Sequence, residues 1–344
     1  MSKKLINIVV AGATGYVGLD LIYILSKHPK VNLCNLCAQK NIGKKISFFD
    51  KRIKKRLPKV SSLNSVNWSN IDLLYMSLPN GEAQKLTSRL FYKYSNLKFI
   101  DLSADFRLTN ISKYKKWYKT SHKAKNLIKH SLYSISEFVK KDIKKYRIIA
   151  NPGCYSTSIQ LPLMPLLRKK LIKSEEITID SKSGYSGAGK NLKSKFTHKN
   201  LLNSVFAYSV NGHRHSGEID QEFNKIIKKK VEYTFNPHLL PTFRGILSSI
   251  YVLKKGKIST KIITDELKKF YKKDIFISIE KPNTAIGTGQ VINTNYCQIS
   301  VCQSSDKKKF IIFSAIDNLI KGASGQAVQN MNLIYGFNQK LGLK

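Results

Sequence analysis

The chain of 344 residues is long enough for two domains, and its 42% hydrophobic and 24% charged residues exclude a disordered polypeptide. A net charge of +39 would ordinarily point to nucleic acid. Here the lysines are spread over nearly every segment and form no stripe interleaved with stacking aromatics, so no specific nucleic-acid partner is expected. Five scattered cysteines make no disulfide framework, and nothing suggests a membrane span.

Leu5 to Ala11 reads as a buried strand that runs straight into Gly12-Ala13-Thr14-Gly15-Tyr16-Val17-Gly18 and then a helix to about Ser26. Strand, glycine loop and helix form the opening of a dinucleotide-binding fold. The first glycine permits the tight turn, the second lets a pyrophosphate approach the backbone, and the third lets the helix pack on the strand. Gly12, Thr14, Gly15, Tyr16, Val17 and Gly18 are therefore candidate cofactor contacts. The apolar start mimics a short signal peptide, but no small-residue cleavage site precedes Gly12, and a cytoplasmic protein is expected. A second strand, Val31 to Ala38, ends in Gln39-Lys40, where NAD-specific folds place an acidic residue for the ribose hydroxyls. With Lys40, Lys44 and Lys45 there instead, a 2′-phosphate is welcome and NADP(H) is the expected cofactor. Cys34 and Cys37 lie inside this strand, away from any helix start, and their spacing reads as structural. Ile71 to Ser77 and Leu97 to Leu102 read as further strands, separated by Leu78-Pro79-Asn80-Gly81 and a helix from Glu82. The alternation implies a parallel sheet with ligands at the carboxyl ends of its strands, which adds Ser77, Leu78 and Pro79 to the cofactor candidates.

Arg147 to Ala150 reads as a short buried strand, Pro152-Gly153 as a sharp turn, and Ser156 onward as a helix start leading into the apolar run Ile159 to Leu167. Cys154 then sits at the positive end of a helix, where the thiolate is favoured over the thiol. A thiolate attacks carbonyl carbon, so Cys154 is the candidate nucleophile. The expected division is a dinucleotide-binding domain at 1–150, a catalytic, substrate and oligomerisation domain at 151–316, and a last helix at 317–344 that returns to the first domain. Ile177 to Ser183 is a strand entering a second glycine loop, Gly184 to Gly189, which wraps a substrate or is a plain flexible loop. Asn211-Gly212-His213-Arg214-His215 precedes a helix from Ser216 to Lys229. His213 and His215 share one side of an extended segment and suit acid/base work with a thiolate. A metal would need Cys154 or His238 as a third ligand; no convincing carboxylate or second cysteine cluster supports one, and none is expected. Pro237 to Gly245 reads as a stiff loop, in which Arg244 could hold a carboxylate or phosphate or pair with a surface acid. Strands at Ile246–Leu253, Ile275–Ile279, Tyr296–Val301 and Phe310–Ile316, with a helix near Thr260 to Lys272, point to a largely antiparallel or mixed sheet. The last helix, Ser324 to Tyr335, reads as amphipathic.

These pieces resemble the N-acetyl-gamma-glutamyl-phosphate reductases of arginine biosynthesis. The matching stretches are Gly12 to Gly18, Asp101 to Leu108, Asn151 to Tyr155, Ser183 to Gly189, Gly212 to His215 with Glu218, Pro237 to Gly245 and Asp317 to Ala327, in the family's order from end to end. The resemblance implies an NADP-binding Rossmann α/β domain, an α+β catalytic domain of the aspartate-semialdehyde-dehydrogenase type, and a homo-oligomer, dimer or tetramer, acting on a small acyl phosphate. It assigns the nucleophile to Cys154 and the acid/base role to His213 or His215. It places Asn318 at the cofactor, and Arg107, Ser183, Gly184 and Arg244 at the substrate. Three features depart from the family: Asn80 replaces a common histidine, Ser134-Ile135-Ser136-Glu137 stands for Gly-Leu-Pro-Glu, and Ser156 replaces the proline after Cys-Tyr. The rival expectations are a sister reductase acting on aspartyl phosphate or carrier-bound aminoadipyl phosphate, and a degraded, basic binding protein.

Overall fold

The computed structural model describes residues 5–190, 203–227 and 230–344, and the chain divides into two compact units. One holds the described residues up to Pro152 together with Ala323–Leu343; the other is Gly153–Gly322 with Lys344.

The first unit is built on strands β1 (Ile6–Ala11), β2 (Val31–Cys37), β3 (Val60–Ser61), β4 (Leu73–Met76), β5 (Lys98–Asp101), β6 (Ser131–Tyr133) and β7 (Ile148–Ala150). They pair in the order β3-β2-β1-β4-β5-β7-β6, every pair parallel. Strands β4 and β7 are buried at every position, as a parallel sheet covered on both faces requires. The strand order reverses between β1 and β4, and the crevice at their carboxyl ends is where such sheets bind ligands. The two-residue β3 and three-residue β6 are too short to show a period in the sequence.

The final helix, Gly325–Tyr335, corrects one expectation. It is buried on nearly every side and not amphipathic, because its polar residues find partners inside. Asn330 Oδ1 accepts the hydroxyls of Ser134 and Ser136 at 2.7 Å each, and its amide nitrogen donates to the Ser134 carbonyl and to Asn151 Oδ1. Asn332 Oδ1 meets His28 Nε2 at 3.0 Å. Two of the sequence departures, Ser134 and Ser136, are thus absorbed by this helix.

The second unit carries β8 (Ile177–Gly184), β9 (Phe206–Ala207), β10 (Tyr233–Leu240), β11 (Ile246–Leu253), β12 (Ile277–Ile279), β13 (Cys297–Gln303) and β14 (Lys309–Ile316). Their order is β12-β13-β14-β11-β8-β10-β9; β8–β10 and β12–β13 are parallel and the rest antiparallel, the mixed sheet expected. Pro237 to Leu240, read as loop, belongs to β10. The Pro237 carbonyl accepts the Tyr208 N–H, so the proline nitrogen faces the short β9 side and interrupts no bond to β8. The helix expected from Ser156 begins at Cys154 and runs to Arg168 through Pro162 and Pro165. Pro165 cannot donate to the Leu161 carbonyl, and the Tyr271 hydroxyl donates to it instead. The helix expected to reach Lys229 spans Ser216–Ile226; Lys228 and Lys229 lie outside the described residues.

Candidate active site

In the first unit the glycine loop leaves β1 against the end of β4. Gly12 has φ +86°, and a β-carbon there would lie 2.0 Å from the Ser77 carbonyl oxygen, so only glycine serves. A β-carbon at Gly18 would meet the Gly12 oxygen at 2.2 Å, which is how the helix Tyr16–Ser26 packs so close to the loop. Space at Gly15 is more open, its nearest neighbour 3.5 Å away, and no side chain caps the helix start. The helix Tyr16–Ser26 starts directly on this loop, and Gly15 puts no Cβ before its positive end. Ser77 donates its N–H to Ala11, and Gly12 and Ala13 donate to Cys37 at the end of β2. Exposed Gln39 and Lys40 follow that strand, with exposed Lys44 and Lys45 on the same connection. The Leu78-Pro79-Asn80-Gly81 segment is held by Asp105, which accepts the N–H groups of Gly81 (2.8 Å) and Gln84 (3.1 Å).

Arg107 is buried, with Nε donating to the Asn151 carbonyl at 2.8 Å and Nη2 to the Leu102 carbonyl. Asp101 organises the same loop by accepting the N–H groups of Ser103 and Phe106. Burial, with Asp105 nearby, pushes the Asp101 carboxyl up to about 6.

In the second unit Cys154 is the first residue of its helix, after Gly153. The approach at Gly153 is close: a β-carbon there would lie 2.3 Å from Nε2 of His215. The His215 imidazole therefore lies flush against the backbone that precedes Cys154. Glu218, fully buried and three residues beyond His215, accepts the Gly153 N–H at 2.9 Å, and its other oxygen is 3.9 Å from His215 Nε2. Sequence reasoning gave Glu218 no role, although an acid three residues after a histidine on a helix start was the available signal.

The two histidines differ. His213 is enclosed by the rings of Tyr155, Tyr208, His215 and Phe235, and its Nδ1 accepts the His215 N–H at 3.1 Å. Burial, helped by the adjacent Arg214 charge, holds it down to about 3. His213 is thus neutral at ordinary pH and orients the backbone of His215.

The remaining residues singled out from the sequence serve the same unit. Ser183 donates to the Gly184 carbonyl, and Gly184 packs on the backbone of Phe243 and Arg244. Asn318 accepts the Gly245 N–H at 2.8 Å and donates to Ser186 Oγ at 2.9 Å, clamping two turns together. Arg244 Nη1 lies 3.4 Å from both oxygens of the buried Asp317, so its acid is an interior one. Among the described residues no group of three or more His, Cys, Asp or Glu is placed to hold a metal ion, and no helix is long and apolar enough to cross a membrane.

Residues 7–146 match the semialdehyde dehydrogenase, NAD binding domain family, and residues 154–318 match the semialdehyde dehydrogenase, dimerisation domain family. The N-acetyl-gamma-glutamyl-phosphate reductase of Brachyspira hyodysenteriae is 42% identical over 348 residues, 98% of either chain. The probable chloroplastic N-acetyl-gamma-glutamyl-phosphate reductase of Arabidopsis thaliana is 40% identical over 342 residues, 99% of this chain and 84% of that one. The fold is that of aspartate semialdehyde dehydrogenase II from Vibrio cholerae, solved in complex with ASA: TM-score 0.71, 17% identity, 97% of this chain and 99% of that one. Matched over nearly its whole length, the chain belongs to the N-acetyl-gamma-glutamyl-phosphate reductases, oxidoreductases of the semialdehyde dehydrogenase type.

Proposed function

We propose that this enzyme reduces N-acetyl-gamma-glutamyl phosphate to N-acetyl-glutamate 5-semialdehyde through a thioester on Cys154, with His215 as acid/base and NADPH as reductant. The observation that carries the assignment is the seating of the His215 ring on Gly153, beside a cysteine that opens a helix. The helix start favours thiolate, and His215 takes up the thiol proton. The Cys154 sulfur attacks the acyl-phosphate carbonyl, the carbonyl re-forms, and inorganic phosphate leaves with the bonding electron pair. Backbone N–H groups at the helix start after Cys154 hold the oxyanion in this reading, a contribution of about 3 kcal/mol in comparable acyl transfers. When bound, NADPH supplies the hydride that reduces the thioester carbonyl. The resulting thiohemiacetal oxygen exchanges its proton with His215, and the C–S bond breaks to release aldehyde and regenerate the thiolate.

The glycine cradle fits a dinucleotide pyrophosphate, and the lysines after β2, with Gln39 in place of an acid, favour the 2′-phosphate of NADP(H). A homo-oligomer is supported by the open face of the second sheet, where Leu247, Tyr251, Ile311 and Phe313 are partly exposed on neighbouring strands. None of the five cysteines forms a disulfide, which suits a reducing, cytoplasmic setting.

The test is phosphate-dependent NADP+ reduction with N-acetyl-glutamate semialdehyde, run beside aspartate semialdehyde and NAD+. Activity with the first pair alone supports the whole reading. Activity with aspartate semialdehyde instead moves the substrate, and loss of neither activity in Cys154→Ala removes the covalent scheme.

A further inference from the structure

The place of Cys154 is set from far away in the sequence. Asp317, directly after β14, is fully buried. One of its carboxylate oxygens accepts the N–H groups of Leu319 and Ile320 at 2.8 and 3.0 Å, and the other accepts that of Asn293 at 2.7 Å. Arg244 faces both oxygens. Burial pushes this carboxyl up, and the guanidinium and the three N–H groups oppose that, so the charge is held by a full set of partners. The Asp317 carbonyl in turn accepts the N–H of Gly322, five residues on, at 2.9 Å. That bond belongs to the π-helical turn Ile320–Ser324, a geometry that recurs at functional sites.

The turn brings Gly322 against the nucleophile. A β-carbon at 322 would lie 2.6 Å from Cβ of Cys154 and 3.2 Å from its Cα. Neither neighbour is the flexible end of a side chain; both are fixed by the helix start. A methyl group at 322 must therefore move the cysteine backbone or unwind the turn.

We propose that Asp317 and Gly322 are positioning residues for the nucleophile: the Arg244–Asp317 pair fixes the π turn, and the bare backbone of Gly322 seats Cys154. The proposal rests on the reading of Cys154 as nucleophile. Arg244 then acts on the nucleophile through Asp317. Because an error of about 1 Å in a reacting atom costs about a hundredfold in rate, this seat is worth much of the catalytic power.

The experiment compares wild type, Gly322→Ala, Asp317→Asn and Cys154→Ser in the full chain. It measures kcat, NADPH affinity by fluorescence titration, and the rate of iodoacetamide alkylation at Cys154, followed by peptide mass spectrometry. For Gly322→Ala the expected result is a kcat lower by about a hundredfold, an alkylation rate at Cys154 changed by about fivefold or more, and NADPH affinity within about twofold. A kcat within about threefold of wild type, or an unchanged alkylation rate, overturns the proposal. If Gly322→Ala yields no folded protein, Asp317→Asn decides alone. It keeps an acceptor for the N–H groups and removes the charge, and is expected to lower kcat about tenfold and change the alkylation rate; wild-type values for both overturn the proposal. Turnover by Cys154→Ser above about a hundredth of wild type would instead defeat the nucleophile reading itself, whatever the other variants do.

Discussion

The Glu218 carboxylate and the Gly153 amide are joined by a buried hydrogen bond of 2.9 Å across 65 residues of sequence. The bond pins the residue before Cys154, while the second carboxylate oxygen lies 3.9 Å from His215 Nε2. One side chain therefore meets both the residue before Cys154 and His215, the pair proposed to react being Cys154 and His215, as an outer partner of a catalytic pair commonly does. Glu218→Ala leaves the Gly153 N–H without its acceptor and is expected to cost about 1–3 kcal/mol in urea denaturation. Glu218→Gln keeps the shape but removes the charge facing His215, and kcat is expected to fall by about tenfold to a hundredfold. A Gln variant with wild-type kcat would deny Glu218 any part in the chemistry.

The contrast between the histidines is open to a pH profile. Since burial holds His213 near 3, its protonation does not enter the rate between pH 5 and 8. His215→Asn is expected to lose about a hundredfold or more in kcat, and His213→Gln to keep the wild-type dependence of rate on pH between 5 and 8. If His213→Gln instead loses the larger share of kcat, the roles are reversed.

His213 also leaves a thermodynamic mark. Its folded value, about 3, lies below its ordinary 6.5, so between those values the unfolded chain binds more protons than the folded one. Stability is fully present above about pH 6.5 and declines as pH falls toward 3. Melting temperatures measured from pH 7 down to pH 4 should therefore fall less steeply for His213→Gln than for the wild type. Equal slopes would mean that the ring is not held neutral.

The proposed preference for NADP(H) rests in part on Gln39. Replacing it with aspartate puts a carboxylate where the ribose hydroxyls of NAD would meet it and where a 2′-phosphate would be repelled. The ratio of kcat/KM for NADPH over NADH is expected to drop by about tenfold or more in Gln39→Asp, and an unchanged ratio would show that the lysines after β2 do not read the phosphate.

Tyr271 offers a test outside the chemistry. Its hydroxyl satisfies the Leu161 carbonyl that Pro165 abandons inside the helix Cys154–Arg168. Tyr271→Phe leaves that carbonyl buried and unmet, at an expected cost of about 1–3 kcal/mol by denaturant titration. Loss of less than about 0.5 kcal/mol would mean that the helix relaxes around its prolines.

How much of this was legible depends on the reach of each interaction. The Gly12 to Gly18 loop could be seen in the sequence because strand, turn and helix start are adjacent, and each glycine answers a local need. Cys154 at a helix start was visible for the same reason, although the helix begins two residues earlier than its polar run suggests. Pro237 looked like loop because a proline breaks a central strand, and the sequence does not show that its nitrogen faces the two-residue β9. The last helix looked amphipathic because Asn330 and Asn332 are polar; their partners, Ser134, Ser136 and His28, are hundreds of residues away. Glu218 reaches Gly153, and Gly322 reaches Cys154, only through tertiary approach, which no local period records.

The shared acceptor at Asn330 also limits how this protein can be recombined with its relatives. Segment 131–139 and the helix Gly325–Tyr335 behave as a single exchange unit: Ser134 and Ser136 donate to one amide oxygen whose nitrogen reaches Asn151, three residues before the nucleophile. A chimaera that imports Gly-Leu-Pro-Glu without the matching helix strips both donors at once, and leaves Asn330 without the partners that orient it toward Asn151. Crossover points for hybrid enzymes therefore belong outside both segments, with the two moved together.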